Sequence, residues 1–221
     1  MTLRLIIFDV DGTLVDSQRD IVGGMQHAFG LMNLPSPDKD AILGTVGLSL
    51  PQTMARLAPD AGPETQDALV AAYKKTYAEM RLFAGSAASS PLYPGARDCL
   101  EALHAVPDIL LGIATGKSRR GLDVLLDAHD LRSLFVTAQN ADGHPSKPHP
   151  SMLLTAMSEA GTDPQNTVMV GDSSFDMDMA RAAGVTGVGV GWGYQPADRL
   201  DAKITAQTFE DLTTHLLHLA K

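Results

Sequence analysis

Residues 3–13 read LRLIIFDVDGT. Leu3–Phe8 is a short, near-continuous apolar run, interrupted only by Arg4. That is the pattern of a strand buried on both sides. Two carboxylates follow at once, Asp9 and Asp11, with Gly12 beside them to let the backbone turn sharply. A strand that ends in paired acids and a glycine predicts the first strand of a parallel sheet, with chemistry at its carboxyl end.

Working outward, similar short runs recur at Ile109–Ala114, Ser133–Ala138, Thr167–Val170 and Val185–Val190, each followed by polar or glycine residues. They predict four more parallel strands. Helical patterns fall between and after them, at Ala96–Ala105, Ser118–His129, Pro150–Ala160, Met177–Ala183 and Phe209–Leu219. This alternation predicts an α/β fold: a Rossmann-like, doubly wound parallel sheet that binds its ligand at the carboxyl ends of the strands. One stretch breaks the rule. From Asp16 to Leu82 the pattern is helical throughout, with candidate helices Gln18–Leu31, Pro37–Leu43, Leu50–Leu57 and Glu64–Met80. We read it as an inserted α-helical module that returns through the linker AGSAASSPLYPGA and is able to hinge over the site. The expected division is therefore a core of residues 1–15 and 83–221 and a cap of residues 16–82.

Composition narrows the function. The chain has 221 residues, roughly one and a half typical domains. With 44% hydrophobic and 19% charged residues it can fill a core, which excludes a disordered or collagen-like chain. Net charge is −9, so nucleic acid is not an expected partner. No apolar stretch approaches membrane-spanning length. The single cysteine, Cys99, removes disulfide frameworks and cysteine-rich zinc sites and suits a reducing compartment, so a cytoplasmic location is expected.

Paired carboxylates repel, and Asp9 and Asp11 are tolerable together if a divalent cation neutralises one while the other takes a proton. D-x-D-G-T arises by chance in roughly a few chains of this length per thousand. Three weaker signals end later strands: Thr115-Gly116-Lys117, Ser146-Lys147-Pro148 and Gly171-Asp172-Ser173-Ser174-Phe175-Asp176. Each alone has an ordinary explanation as a helix cap, a solvated lysine or a turn. At the ends of neighbouring strands they supply a nucleophile, a cation site, a hydroxyl donor and a fixed positive charge, the set that phosphoryl transfer requires.

Through DVDGTLVDS (9–17), IATGKS (113–118), SKPHPSML (146–153) and VMVGDSSFDMDMARAAG (168–184), the sequence resembles the haloacid dehalogenase superfamily of phosphohydrolases over nearly its whole length. The cap directly after the first motif, with IVGGMQHAF and VGLSLPQTMARL, looks like the phosphoglycolate phosphatase-like branch. The resemblance implies that Asp9 is a nucleophile forming an aspartyl phosphate and that Asp11 is the acid and base, its backbone carbonyl facing the metal. It implies Mg²⁺ held by Asp9, Asp11 and Asp172, with Asp176 bound through water or steadying Lys147. Thr115 and Gly116 would hold phosphoryl oxygens, and Lys147 would neutralise the transition state. The implied reaction is Mg²⁺-dependent hydrolysis of a small phosphorylated metabolite, with 2-phosphoglycolate as the named substrate. Asp11 disfavours a dehalogenase. A sugar-phosphate mutase, a phosphonatase using Lys39, Lys74 or Lys75, and a non-catalytic sensor of a phosphorylated ligand stay open, and oligomeric state is not readable.

Other residues read as ordinary structure. His215 and His218 are spaced i, i+3 on the last helix, but no carboxylate or cysteine is evident near them. His149 lies between prolines, and Asp178 sits at a helix start where a negative charge is favourable. Trp192 and Tyr194 either line the cleft or pack under its loop. Among the cap cations Arg56, Lys74 and Lys75, Arg56 is the best candidate to reach the core site.

Overall fold

The computed structural model describes residues 3–219. Six strands form one sheet: β1 (Arg4–Phe8), β2 (Ile109–Thr115), β3 (Phe135–Asn140), β4 (Thr167–Gly171), β5 (Thr186–Val190) and β6 (Ile204–Ala206). Their spatial order is β3-β2-β1-β4-β5-β6 and every pair is parallel. The order reverses between β1 and β4, so the crevice of a doubly wound sheet opens beyond the carboxyl ends of these two strands.

Alternation along β1 explains how the sheet is covered. Ile6 and Phe8 enter one apolar cluster while Leu5 and Ile7 enter another. The first is filled from α6 (Ala96–His104), α7 (Arg119–Ala128) and α10 (Phe209–Leu219), through residues such as Leu100, Leu122 and Leu212. The second is filled from α8 (Ser151–Ala160) and α9 (Ser174–Ala182), through Met152, Leu153 and Met179. With both faces covered, β1, β2 and β4 are buried almost throughout, and β1 is nearly solvent-free, whereas edge strand β3 leaves Val136 half exposed.

Differences from the sequence reading lie at edges. β6, which was not expected, has three residues and pairs only with β5. β3 starts two residues late because Arg132–Leu134 form a 3₁₀ turn. α9 begins at Ser174 rather than Met177, since Ser173 and Asp176 form a reciprocal capping box that satisfies the first-turn amides.

The inserted module contains α1 (Gln18–Leu31), α2 (Lys39–Leu43), α3 (Leu50–Leu57) and α4 (Pro63–Ala84), with its own apolar cluster built on Met25, Phe29, Ile42, Met54 and Leu69. α4 runs four residues beyond the expected Met80. The linker contains a single helical turn, α5 (Ser86–Ser89), and then pairs Leu92 with Val15, so the exit and return strands of chain lie side by side. Among the described residues no helix is long and apolar enough to cross a membrane.

Candidate active site

β1 delivers Asp9 to the switch point, where its amide donates to Val170 O of β4 (2.9 Å). The next residues fold back at once: the amides of Thr13, Leu14 and Val15 all converge on Val10 O. Gly12 holds φ +87°, and a side chain there would stand 2.3 Å from Asp172 Oδ2. The glycine is thus required twice, for its left-handed backbone and for the close approach of a second carboxylate. Gly193 meets the same demand from the opposite side, since a Cβ there would fall 2.1 Å from Asp172 Cβ.

Lys147 has no solvent exposure. Its ammonium donates to Asp176 Oδ1 (2.6 Å) and stands 2.8 Å from Asp9 Oδ1. The second contact is an ion pair off the hydrogen-bond axis, so no donor among the described residues is well aligned on that buried oxygen. Burial alone would strip the Lys147 proton, but the Asp176 and Asp9 charges outweigh it and hold the ammonium above its ordinary range. The remaining oxygen of Asp176 accepts from the Ser173 amide (3.1 Å) and hydroxyl (2.6 Å). Asp176 is therefore committed at both oxygens, as a residue that steadies Lys147.

Asp172 accepts from Thr13 Oγ1 (3.1 Å) and from the Tyr194 amide (2.8 Å). Oxygens of Asp9, Asp172 and Asp176 lie within 4.8 Å of one another, all buried. Burial pushes Asp9 up to about 7 despite Lys147, and burial with the neighbouring Asp176 and Asp9 charges pushes Asp172 up to about 8. An all-oxygen carboxylate set in which Asp9 and Asp172 are pushed toward their protonated forms, with an orphaned buried oxygen on Asp9, fits a hard divalent cation such as Mg²⁺. A stability signature follows. Between pH 4 and 8 the folded, metal-free protein keeps protons that the unfolded chain has released, so its stability falls as pH rises through that window. Millimolar Mg²⁺ is expected to raise Tm more at pH 8 than at pH 6; equal rises in thermal melts would contradict a cation at these carboxylates.

Asp11 stands apart from that cluster. Its Oδ1 accepts from Ser17 Oγ (2.5 Å) and pairs with Lys117 Nζ (2.9 Å). Ser17 is anchored in turn, its amide donating to the Tyr194 hydroxyl (2.7 Å). The sequence assigns Lys117 no role of its own within Thr115-Gly116-Lys117. Here its side chain is 9% exposed and also lies 5.5 Å from the Tyr77 ring of the cap. Burial would lower its pKa, yet Asp11 and Tyr77 together outweigh burial and the net shift is upward.

Thr115 closes β2 with its hydroxyl accepting from the Lys117 amide (3.2 Å). Gly116 follows under the cap, where a Cβ would fall 2.6 Å from Gly47 O and 2.7 Å from Leu48 O. The Ser49 amide donates to Ser146 Oγ (2.8 Å), next to Lys147. The cap is thus seated on two loops of the site. Asp9, Asp11, Thr115 and Gly116 share one cavity of about 410 Å³ with cap residues, while Lys147, Asp172 and Asp176 stand behind Asp9.

Several undecided residues find places. Trp192 packs beneath the first loop, stacking on Phe209 (4.5 Å) and donating to Thr13 O (3.0 Å). His149 accepts from the Ser151 amide and lies outside the cavity. His215 pairs with Asp211 one turn earlier, a carboxylate the sequence reading overlooked. Arg56 lies over Phe175 (5.0 Å) and lines a second cavity, so it does not meet the substrate cavity; Lys74 does.

Comparison with known proteins agrees with this geometry. Residues 6–190 match the family model for haloacid dehalogenase-like hydrolases. The chain is 36% identical over 213 residues to "Probable phosphatase IndB" of Dickeya dadantii, covering 94% of this chain and 91% of that one. It is 33% identical over 211 residues to a phosphoglycolate phosphatase of Pseudomonas putida, covering 95% and 77%. A crystal structure of a "predicted phosphoglycolate phosphatase" from Haemophilus somnus 129pt superposes with a TM-score of 0.85 at 25% identity, covering 98% and 99%. The chain belongs to the haloacid dehalogenase-like hydrolases, as a phosphoric monoester hydrolase similar to the phosphoglycolate phosphatases of that family.

Proposed function

We propose that the protein is a Mg²⁺-dependent, cytoplasmic phosphatase that hydrolyses a small phosphorylated metabolite through an aspartyl phosphate, with residues 16–82 acting as the cap over a core of residues 1–15 and 83–221. The observation that carries this reading is the fully buried Lys147 bridging Asp9 and Asp176 at the strand ends, beside Asp172 and behind Asp9, which lines a cavity between core and cap.

A carboxylate oxygen of Asp9 attacks phosphorus, the P–O bond to the alcohol breaks, and the alcohol leaves with a proton from Asp11. Asp11 then takes a proton from water, which attacks the acyl phosphate and releases inorganic phosphate. Lys147 and the Thr115–Gly116 turn stabilise the charge that develops on the phosphoryl oxygens. Asp9 and Asp172, with Asp176 in support and the Asp11 backbone carbonyl as the expected further ligand, would hold Mg²⁺, which when bound would supply the charge neutralisation that lets two anions meet. Asp9 is only 1% exposed, so few bulk water molecules reach the carboxylate that would carry the phosphoryl group.

The test is phosphate release from small esters, with 2-phosphoglycolate as the reference substrate, in Mg²⁺ and in chelator. Chelator-sensitive release supports the reading; no release from any ester contradicts it. Asp11→Asn separates chemistry from metal binding, because Asp11 gives no side-chain oxygen to the carboxylate cluster. Turnover is expected to fall at least about a hundredfold while the Mg²⁺-induced rise in Tm persists. Near-normal turnover would remove Asp11 from the proton transfers.

A further inference from the structure

The same cavity that reaches Asp9 extends well beyond the space a phosphoryl group needs. At about 410 Å³ it falls in the range, roughly 300–1,000 Å³, of sites that enclose organic ligands larger than a two-carbon acid. Its chemistry changes along its length. The core end carries Asp9, Asp11, Thr115 and Gly116; the cap end is walled by Ile21, Met25 and Leu48 and by the rings of Tyr73 and Tyr77.

The two tyrosines are one helical turn apart on α4, their ring centroids 5.6 Å apart and tilted by 34°. Both are 8% exposed. Tyr77 is anchored through its hydroxyl to Ser90 Oγ (3.3 Å) in the linker, and Lys117 and Arg81 lie at 5.5 and 5.7 Å from its ring. These contacts fix the aromatic wall in place, so a flat apolar group meets it without reordering side chains.

A small carboxylate has poorer support in the same space. Lys117, the cation seated beside the catalytic loop, is already paired with Asp11 at 2.9 Å. Lys74 and Arg120 are exposed, and Arg81 is half-buried over Tyr77. Among the described residues lining the enclosed part of the cavity, no uncommitted buried cation awaits a substrate carboxylate.

We infer that the cap-side half of the cavity is a subsite for an aromatic or ring-sized apolar alcohol, so that the substrates of choice are phosphate monoesters of such alcohols rather than 2-phosphoglycolate. This assignment rests on the phosphatase reading for the phosphoryl end alone. Apolar burial supplies the discrimination, since a ring withdrawn from water against this wall gains what an ethyl or carboxymethyl group does not.

Calorimetric titration of the Mg²⁺-loaded protein with benzylphosphonate and methylphosphonate tests it without turnover. Benzylphosphonate is expected to bind at least about tenfold more tightly. The parallel kinetic comparison uses benzyl phosphate, ethyl phosphate and 2-phosphoglycolate, all esters of alkyl alcohols, and kcat/KM is expected to favour the benzyl ester by at least about tenfold. Ala78→Phe on α4 and, independently, Val124→Phe on α7 each add a ring to the cavity wall, and either that folds is expected to cut the benzyl preference to about threefold or less. Equal phosphonate affinities, 2-phosphoglycolate as the best ester, or a benzyl preference untouched in the folded variants would overturn the subsite. Hydrolysis of no ester together with tighter benzylphosphonate binding would overturn the phosphatase reading and leave the subsite standing.

Discussion

Asp9→Asn is expected to lower turnover at least about a thousandfold, the scale on which loss of a covalent nucleophile is felt, while leaving the fold intact or more stable. The two outcomes have one cause. Asp9 is buried in a cluster with Asp172 and Asp176, and burial raises its pKa to about 7, so at pH 8 its ionised form weighs against the folded state. Asparagine removes that charge with little change of shape, and Lys147 keeps Asp176 as a partner at 2.6 Å. Thermal melts at pH 8 without metal are therefore expected to show an unchanged or higher Tm beside lost activity. A variant that turned over normally would exclude Asp9 as nucleophile; one that failed to fold would exclude the electrostatic account of the site.

Lys147→Met is expected to do the opposite to stability. Lys147 is wholly buried between two carboxylates, and a methionine of similar length leaves Asp9 and Asp176 without their counter-charge. Breaking a buried pair in this way typically costs about 3–5 kcal/mol. Turnover should also fall at least about a hundredfold, as for the loss of one group that stabilises charge in the transition state. Melts and steady-state rates on the same preparation check both effects. A loss of activity of tenfold or less would demote Lys147 from the charge-stabilising role, and an unchanged Tm would mean the ion pairs contribute little to the fold.

The contrast between these variants shows why much of the site was readable in sequence. Asp9, Asp11, Thr115, Lys147, Asp172 and Asp176 each follow a strand or its loop, and a parallel sheet with this order gathers such positions by topology alone. Their grouping follows from the topology, whereas the individual roles proposed for them come from the resemblance to the phosphohydrolases. The strands β1, β2 and β4 were legible for a related reason: buried on both faces, they are apolar at nearly every position, whereas edge strand β3 (FVTAQN) is apolar only at its start and its first residues were read too early. β6 was not legible, since Ile204–Ala206 is a three-residue edge strand whose pairing comes from β5 rather than from its own pattern. α9 was read three residues short because Ser173 and Asp176 look like loop residues until their reciprocal hydrogen bonds are seen.

What stayed hidden depends on how the cap meets the core. Nothing in the pattern around Lys117 marks it as a site residue; Asp11 pairs with it and the Tyr77 ring of the cap lies against it. Tyr73 and Tyr77 share the i, i+4 spacing of any core stripe, so sequence cannot separate a wall of the cavity from the packing of a helix. Arg56 illustrates the converse error: a cation after a glycine-containing turn looked aimed at the site, but the orientation of α3 lays it over Phe175.

The most direct test of the covalent scheme is the intact mass of the protein acid-quenched within milliseconds of mixing with Mg²⁺ and a hydrolysable ester. The account predicts a transient species heavier by one phosphoryl group, located by peptide mapping to the segment containing Asp9 and missing from Asp9→Asn. Burst-free turnover with no phosphorylated protein at any quench time, or a phosphoryl group mapped to a residue other than Asp9, would contradict it.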